Sequence, residues 1–567
     1  MSKPLYVLGT GLSHNGSAVL LKDGIICVAI EKERITRIKH QGGNDTDAIR
    51  YCLDAEGITL ADIDLVVQSA NFETPDRDRF HGKRLFADFP DLPVITISHH
   101  LAHAYSAVGT CDFEECAVMV IDGCGSPYEQ CMDVSRGTLL PENLEKLAQS
   151  QMWCEKDSFY HFDGKTLTPL LKDFSPIERV SEQPLKLPTT KHSIGGFYAA
   201  ISHYVFGNMD DVGKLMGLAP YGKPGEIEQE AFEFVNGSLL VKDDWKQELK
   251  MPSEGYHFFK EHFQYYADVA FWAQKEVEKA VFSCFKDRLK RFPYKNVCYS
   301  GGVALNAVAN AFLLNEGLVT DFYIEPAAGD NGLALGCAYY GWLEILKKPK
   351  EKHTESTCFG KTYLPEEIEM ALKNCPGDWE MQILEPEELV QTTARFLAAG
   401  KTIGWFQDHC EFGPRALGHR SILAHPGIKG LGDHINANIK FREDFRPFAP
   451  AVLPELASTY FRSGRKSPYM ILIDHTKPEY AEQLQNVTHV NGTARVQTVD
   501  KTWNNLFFEL IRAFEKETGI GVLLNTSFNK KGMPIVETPE QALALFRESA
   551  LDVLIINHYL LKKSTIQ

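Results

Sequence analysis

The thirteen cysteines of this 567-residue chain include no CxxC pair. That absence removes the usual cysteine signatures of zinc ribbons and dithiol redox motifs. The thiols are scattered, and Cys27, Cys298 and Cys337 fall in apolar stretches read as strands. Such usage fits reduced cytosolic thiols better than a disulfide framework. No apolar run approaches the length that spans a bilayer. The opening MSKPLYVLGTG enters a strand directly, without a signal-peptide pattern. A cytoplasmic location and no membrane partner are expected. Positive charge is also in short supply: 59 Lys and Arg face 75 Asp and Glu, a net charge of −16. That balance argues against a general nucleic-acid binder and leaves room for a local basic pocket.

What is present is ordinary globular composition, 44% hydrophobic and 24% charged. The length is too great for one core, so two or more domains are expected. EILKKPKEKHTESTCFG (344–360) is a charged, polar break between two apolar-patterned regions. It places a boundary between residues 345 and 360, with one α/β domain over 1–350 and another over 351–567.

The most informative stretch is PVITISHHLAHAYSAVGTCDFEECAVMVIDGCG (93–125). It reads as a strand, a helix over HHLAHAYSAV, and a second strand running into a glycine turn. His99 and His103 are spaced i, i+4, so a helix puts both imidazoles on one face, a spacing that suits a single metal ion. Asp122 falls at the next strand end, where α/β folds gather ligands, and Asp330 occurs in the similar context EPAAGDNGLALG. Two imidazoles and two carboxylates fit zinc, iron or manganese. His100 is adjacent but off that face, and is read as structural.

Glycine turns follow several strands. SHNGS, after LYVLGTG, can present backbone N–H groups to a phosphate, and His14 lies in it; a solvent-facing turn histidine is the plain alternative. AVLLKDGIICVAIE reads as a hairpin with a KDG turn. SGGVALN, with Gly301, Gly302 and Asn306, puts a glycine turn directly ahead of a helix, a ready anion or nucleotide site. VGKLMGLA carries Lys214 among glycines. Arg34, Arg37 and Lys39 in EKERITRIKH belong either to a solvated helix face or to an anion contact. The aromatic-rich segment 150–270 reads mostly as core and loop packing.

Beyond the break, EFGPRALGHRSILAHP brackets Arg415 with glycine and proline, with Arg420 beyond. NIKFREDFRPFAPAVLP spaces Lys440, Arg442 and Arg446 with aromatics; Arg495 lies in TARVQTV; Asn525, Thr526, Ser527 and Asn529 gather at a strand end. Guanidinium groups confined beside amides and hydroxyls suit a small phosphate compound. Salt bridges to Glu411, Glu443 and Asp444 are the alternative for any one of them.

In this order the motifs SHNGSA, HHLAHA, VIDGCG, GKLMGLA, SGGVALN and GDNGLALG resemble the N-terminal domain of the O-carbamoyltransferase family, whose members carbamoylate antibiotics and nodulation factors. GPRALGHRS and RPFAPAVLP resemble its C-terminal domain. The resemblance implies an actin/Hsp70-like (Kae1-like) α/β domain followed by a YrdC-like α/β domain. It implies that His99, His103, Asp122 and Asp330 hold iron(II) or another divalent metal that also touches the nucleotide phosphate. It places His14 and Lys39 in the transfer site, and Arg415, Lys440, Arg446, Arg495, Asn525 and Ser527 around carbamoyl phosphate and ATP, with Lys214, Gly301, Gly302 and Asn306 on the nucleotide side. Magnesium is a further candidate cofactor. The implied reaction forms carbamoyl adenylate from carbamoyl phosphate and ATP, then carbamoylates the hydroxyl of a small-molecule acceptor. A threonylcarbamoyl transferase acting on tRNA would use similar parts but favours a basic face. A hydrogenase-maturation carbamoyltransferase would carry CxxC motifs. A nucleotide-dependent binding module would leave the metal ligands and the second-half cations unexplained.

Overall fold

The computed structural model describes residues 3–563 apart from 70, 73, 77, 178–191, 376 and 378. Two compact units result. Unit 1 comprises Met1–Lys32 and Gly42–His353, and unit 2 comprises Glu33–Gln41 and Thr354–Gln567.

Unit 1 holds one topology twice. The first sheet contains β1 (Tyr6–Gly11), β2 (Ser17–Lys22), β3 (Ile25–Glu31), β4 (Leu65–Ser69) and β5 (Val94–Ile97), in the order β3-β2-β1-β4-β5. The second contains β6 (Cys116–Ile121), β7 (Trp153–Phe162), β8 (Leu167–Pro176), β11 (Asn296–Ser300) and β12 (Asp321–Ile324), in the order β8-β7-β6-β11-β12. A separate hairpin joins β9 (Phe232–Val235) to β10 (Ser238–Val241). In each large sheet the first three strands form an antiparallel meander, and the last two add in parallel on the other side of the first. This duplicated 3-2-1-4-5 arrangement is the actin/Hsp70-like α/β fold. The KDG turn closes β2 onto β3 with Asp23 at φ 50° and Gly24 at φ 85°, the left-handed pair that tight hairpins require.

Small residues set the spacing between the sheets and the helices. The helix Leu333–Tyr340 lies against β1 and against the histidine-bearing helix His99–Thr110. A Cβ on Gly9 would come 2.0 Å from the Ala334 carbonyl oxygen, and one on Gly336 would come 1.7 Å from that of Ala102. Neither position admits a side chain, so the run GLALGCA lets this helix approach both neighbours. Cys27 and Cys298 are on strands, whereas Cys337 is in this helix, not in a strand. Its small neighbours make it a packing position between helix and sheet. The aromatics of 150–270 pack on one another: Phe197 meets Trp245 and Trp272 at 5.1 and 5.6 Å between ring centroids.

Unit 2 is built on an eight-stranded sheet. It contains β13 (Trp379–Ile383), β14 (Ile403–Phe406), β15 (Arg420–Ala424), β16 (Ala449–Val452), β19 (Gln497–Thr498), β20 (Val522–Ser527), β21 (Val553–Ile556) and β22 (Tyr559–Lys563), in the order β13-β22-β21-β14-β15-β20-β16-β19. A two-residue ladder joins β17 (Asp474–His475) to β18 (Thr493–Ala494). Alternate residues of the central strands feed two cores. Trp405, Leu423, Leu523 and Ile555 pack with the helices Pro386–Ala398 and Asn505–Thr518. Phe406, Ile422, Leu524 and Leu554 pack with Pro365–Asn374 and Pro539–Glu548. Burial on both faces accounts for the apolar composition of these strands.

The stretch 33–41 joins unit 2 through main-chain carbonyls. Arg34 Nη2 donates to the Gly413 carbonyl at 2.6 Å, and Arg37 donates to Ile535 and Pro534 carbonyls, both at 2.7 Å. Neither arginine follows the two sequence options, a solvated helix face or an anion contact. The guanidinium groups donate to main-chain carbonyls of these loops.

Two predictions concern stability. Gly336→Ala forces a methyl into the Ala102 carbonyl and should cost about 1–3 kcal/mol, read as a lower denaturant midpoint. Gly213→Ala, in the helix Val212–Leu218 with nothing within 4 Å of the added carbon, should leave stability unchanged or raise it; equal midpoints for the two variants would contradict the packing. His192 is buried, bonds the Glu155 carbonyl at 3.1 Å, and is pushed down to about 4 by burial. The unfolded chain then binds a proton the folded chain refuses between about pH 6.5 and 4, so stability falls as pH drops through that window, by up to about 3 kcal/mol. His192→Gln should flatten the slope between pH 6.5 and 5; an unchanged slope would contradict a buried neutral imidazole.

Candidate functional site

The helix His99–Thr110 starts immediately after Ser98 and is buried along its whole length. Its i, i+4 spacing brings the Nε2 atoms of His99 and His103 to 3.2 Å. Asp122 follows the last residue of β6, and Asp330 opens the turn that leads into Leu333–Tyr340. Asp122 Oδ2 lies 3.1 and 3.9 Å from the two Nε2 atoms, and Asp330 Oδ1 lies 3.4 and 3.8 Å from them. All four ligand atoms fall within 4.8 Å of one another. Ligands at about 2.1 Å in a tetrahedron are separated by about 3.4 Å, so this donor set fits one divalent ion.

The outer atoms of the cluster are held by neighbours. Asp122 Oδ1 accepts the Gly302 N–H at 2.8 Å, and Asp330 Oδ2 accepts the Ser13 hydroxyl at 2.5 Å. Each carboxylate therefore keeps one oxygen for the centre, as supported metal ligands do. Burial pushes the His99 imidazolium down, but Asp330 and Asp122 together push it up, to about 10. Burial alone would raise Asp122, but the His99 bond dominates and the carboxyl is held low. The cluster is short of positive charge. His100 turns away, bonds Ser158 Oγ at 2.8 Å, and is pushed down to about 4 by burial, a neutral structural residue.

His14 lies beside this cluster, half-exposed, with Nδ1 4.0 Å from Asp330 Oδ2 and Nε2 3.1 Å from Asp210 Oδ1. The Asp210 bond raises its imidazolium to about 9; burial opposes, and Asp330 adds. Lys214 pairs with Asp211 at 2.7 Å, a few residues from Asp210. The SGG turn is committed to protein partners. Gly301, at φ 94°, donates to the Ala328 carbonyl at 3.0 Å, Gly302 donates to Asp122, and Asn306 caps the helix Ala307–Asn315 through Ala309 N–H at 3.1 Å. The structure thus places Gly302 behind the Asp122 carboxylate.

Unit 2 gathers cations. The GPRALGHRS loop folds around the buried Glu411 carboxylate, which accepts the N–H groups of Leu417, His419 and Arg420 at 2.7, 2.9 and 3.2 Å. Glu411 thus shapes the loop that carries Arg415. Arg420 is structural: it donates to the Gln407 carbonyl at 2.5 Å and stacks 3.5 Å over the Phe406 ring. Lys440 is buried, and its Nζ donates to Ser527 O, Ser527 Oγ and Asn529 Oδ1 at 2.5, 3.1 and 2.5 Å. Each of these acceptors is neutral. Arg442 stacks 4.5 Å over Phe448 and bonds Asn436 at 2.7 Å. Glu443 takes Lys531 at 2.7 Å and lies 3.8 Å from Arg446. Asn525 is buried and donates to Gln497 at 2.8 Å.

Burial, then the neighbouring cations, pushes Lys440, Arg442 and Arg495 well below their usual ranges and Arg415 to about 10. Arg446 acts on all four, and Lys39 acts on Lys440. Lys39 therefore belongs to this cluster in unit 2, whereas His14 belongs to unit 1. Such a group strongly favours a multiply charged anion. Sequence reasoning missed Ser13 and Asp210 as partners of Asp330 and His14, and Asn529 as a partner of Lys440. Ser13 is next to His14 in the chain, but no local signal marks Asp210.

Two family models match: Carbamoyltransferase N-terminus over residues 7–79 and 81–339, and Carbamoyltransferase C-terminus over 394–563. Nodulation protein NolNO of Sinorhizobium fredii is 31% identical, over 97% of this chain and 79% of that protein. The uncharacterized protein sll1178 of Synechocystis is 31% identical, over 99% and 97%. Nodulation protein U of Rhizobium tropici is 26% identical, over 93% and 91%. Among solved structures, T. kodakarensis HypF aligns at 15% identity over 61% of this chain and 49% of that chain, with a TM-score of 0.35. With both family models matched in order along its length, the chain belongs to the carbamoyltransferase family and is a transferase.

Proposed function

We propose that this enzyme is an O-carbamoyltransferase that uses carbamoyl phosphate and ATP to carbamoylate a hydroxyl of a small-molecule natural product or sugar. Unit 2 carries out the first step: carbamoyl phosphate, ATP and water give carbamoyl adenylate, pyrophosphate and phosphate. Unit 1 carries out the second: the acceptor oxygen bonds to the carbamoyl carbon, the bond from that carbon to the adenylate oxygen breaks, and AMP leaves with a proton released. The observation that carries this reading is the opposite charge imbalance of the two clusters. Unit 2 collects Arg415, Lys440, Arg442, Arg446, Arg495 and Lys39 beside amides, hydroxyls and the Glu443 carboxylate, a setting for phosphates. Unit 1 collects two carboxylates and two imidazoles short of positive charge.

In unit 2 the arginines bind phosphate oxygens in pairs and offset the charge that develops as pyrophosphate departs. Lys440 is held by Ser527 and Asn529, so its ammonium is oriented before substrate arrives. In unit 1 an iron(II) or other divalent ion on His99, His103, Asp122 and Asp330 would supply Lewis-acid charge at the adenylate phosphate, with magnesium accompanying ATP. A neutral hydroxyl is a poor nucleophile, and His14 is the group we assign to orient it or take its proton. Asp210 fixes the imidazole by its Nε2. With Asp330 and Asp122 turned to a cation, their upward push on His14 falls, which brings it nearer to base range.

Three predictions follow from these assignments. Lys440→Ala or Arg446→Ala, folded by circular dichroism, should slow pyrophosphate release by roughly a hundredfold, the loss of a charge-assisted contact, while still transferring from supplied carbamoyl adenylate. His99→Ala should do the reverse; equal loss of pyrophosphate release in His99→Ala and Lys440→Ala would contradict the two-site scheme. In His103→Ala the metal content of unit 1 should fall to a small fraction of the wild-type value, and full retention by elemental analysis would remove the assignment. Asp210→Asn should lower the transfer rate roughly tenfold or more and shift its pH profile, leaving pyrophosphate release unchanged; an unchanged transfer profile would show that the His14–Asp210 pair has no part in the step.

A further inference from the structure

The far end of the histidine helix carries a second set of ligand atoms. Cys111 caps His99–Thr110, Cys116 opens β6, and Cys298 lies in β11. The three sulfurs fall within 4.8 Å of one another, and those of Cys116 and Cys298 are 3.6 Å apart. All three residues are 1% exposed or less. Lys350 Nζ lies 3.4 Å from Cys111 Sγ and is anchored by the Cys111 and Phe113 carbonyls at 2.5 and 3.0 Å.

Packing of small apolar side chains would account for three buried thiols. It does not account for an ammonium group aimed at one of the sulfurs. An ammonium gains little from a neutral thiol and much from a thiolate.

A divalent ion can replace the thiol protons: it bonds three sulfurs, three S–H bonds break, and three protons leave for solvent. Three thiolates with a divalent ion carry −1, a charge that the Lys350 ammonium balances. The spacing agrees as well. Zinc–sulfur bonds of about 2.3 Å separate the sulfurs by about 3.8 Å in a tetrahedron, close to the 3.6 Å between Cys116 and Cys298.

We propose that Cys111, Cys116 and Cys298 form a three-thiolate site for one thiophilic divalent cation of the zinc class, separate from the histidine–carboxylate cluster. Along the helix the two sets are about 12 Å apart, measured from His103 to Cys111. The ion would tie the carboxyl end of the histidine helix to the start of β6 and the middle of β11, the strands that lead to Asp122 and Gly302. Its role is to fix the ligand helix, not to take part in transfer. Because the sulfurs are sealed from solvent, the ion enters during folding.

The test uses full-length chain produced in zinc-supplemented medium, as wild type and as His103→Ala, which disables the other cluster. Elemental analysis of His103→Ala should give close to one zinc per chain, and its zinc-edge X-ray absorption should show three sulfur neighbours. Wild type should show sulfur together with nitrogen or oxygen neighbours. Cys298→Val, which keeps the packing volume, should cut the zinc of His103→Ala at least tenfold. A His103→Ala chain without zinc, a spectrum without sulfur in either protein, or full zinc retention in folded Cys298→Val would overturn the proposal. Should Cys298→Val fail to fold, the wild-type spectrum alone decides.

Discussion

The structure depends first on the buried group formed by His99, His103, Asp122 and Asp330. Two carboxylates and two imidazoles are packed within 4.8 Å with little access to water. Burying ionised carboxylates costs several kcal/mol each unless they are paired. Without a cation, His99 has to carry a proton to offset Asp122 and Asp330, and its imidazolium is stabilised accordingly. Neighbouring elements are arranged around this constraint. Gly302 and Ser13 hold the outer carboxylate oxygens, and Gly336 and Gly9 let the Asp330 helix approach the histidine helix and β1.

The second unit has the inverse problem. Lys440, Arg442 and Arg495 are disfavoured as cations by burial and by one another. A protein keeps such a group only when something compensates the repulsion, and a multiply charged anion does so most directly. Glu411 is buried in the same loop as Arg415, but its oxygens are turned to backbone N–H groups. The one carboxylate that forms a loop is thereby withdrawn from the cationic face. The histidine–carboxylate cluster is thus rich in negative charge, and the buried cations of unit 2 outnumber Glu443, the carboxylate beside them.

How much of this was legible in the sequence follows from the range of each interaction. Local periodicity carried the strand, helix and strand around His99 and the KDG hairpin, because backbone geometry fixes spacing over a few residues. That His99, His103, Asp122 and Asp330 come together was legible in part, because two share a helix face, Asp122 follows a strand end and Asp330 sits in a glycine-rich turn. Arg34 and Arg37 were not legible: their partners, Gly413, Pro534 and Ile535, are more than 370 positions away, and a carbonyl leaves no mark in a sequence. Gly302 looked like a phosphate-binding turn, and in the structure its N–H serves Asp122. A glycine turn at a helix start can serve a carboxylate as readily as a phosphate. Cys111, Cys116 and Cys298 were read as dispersed thiols because the third member comes from another strand 182 residues further on.

The division of chemistry between the two units stands or falls on a carbamoyl adenylate. Isotope exchange tests this most directly. Wild-type enzyme would be incubated with ATP and labelled pyrophosphate, with and without carbamoyl phosphate, and with no hydroxyl acceptor present. Reversible adenylate formation predicts that label enters ATP only when carbamoyl phosphate is supplied. Label entering ATP equally well without carbamoyl phosphate, or no exchange from an enzyme that carbamoylates its acceptor, would contradict a carbamoyl adenylate intermediate.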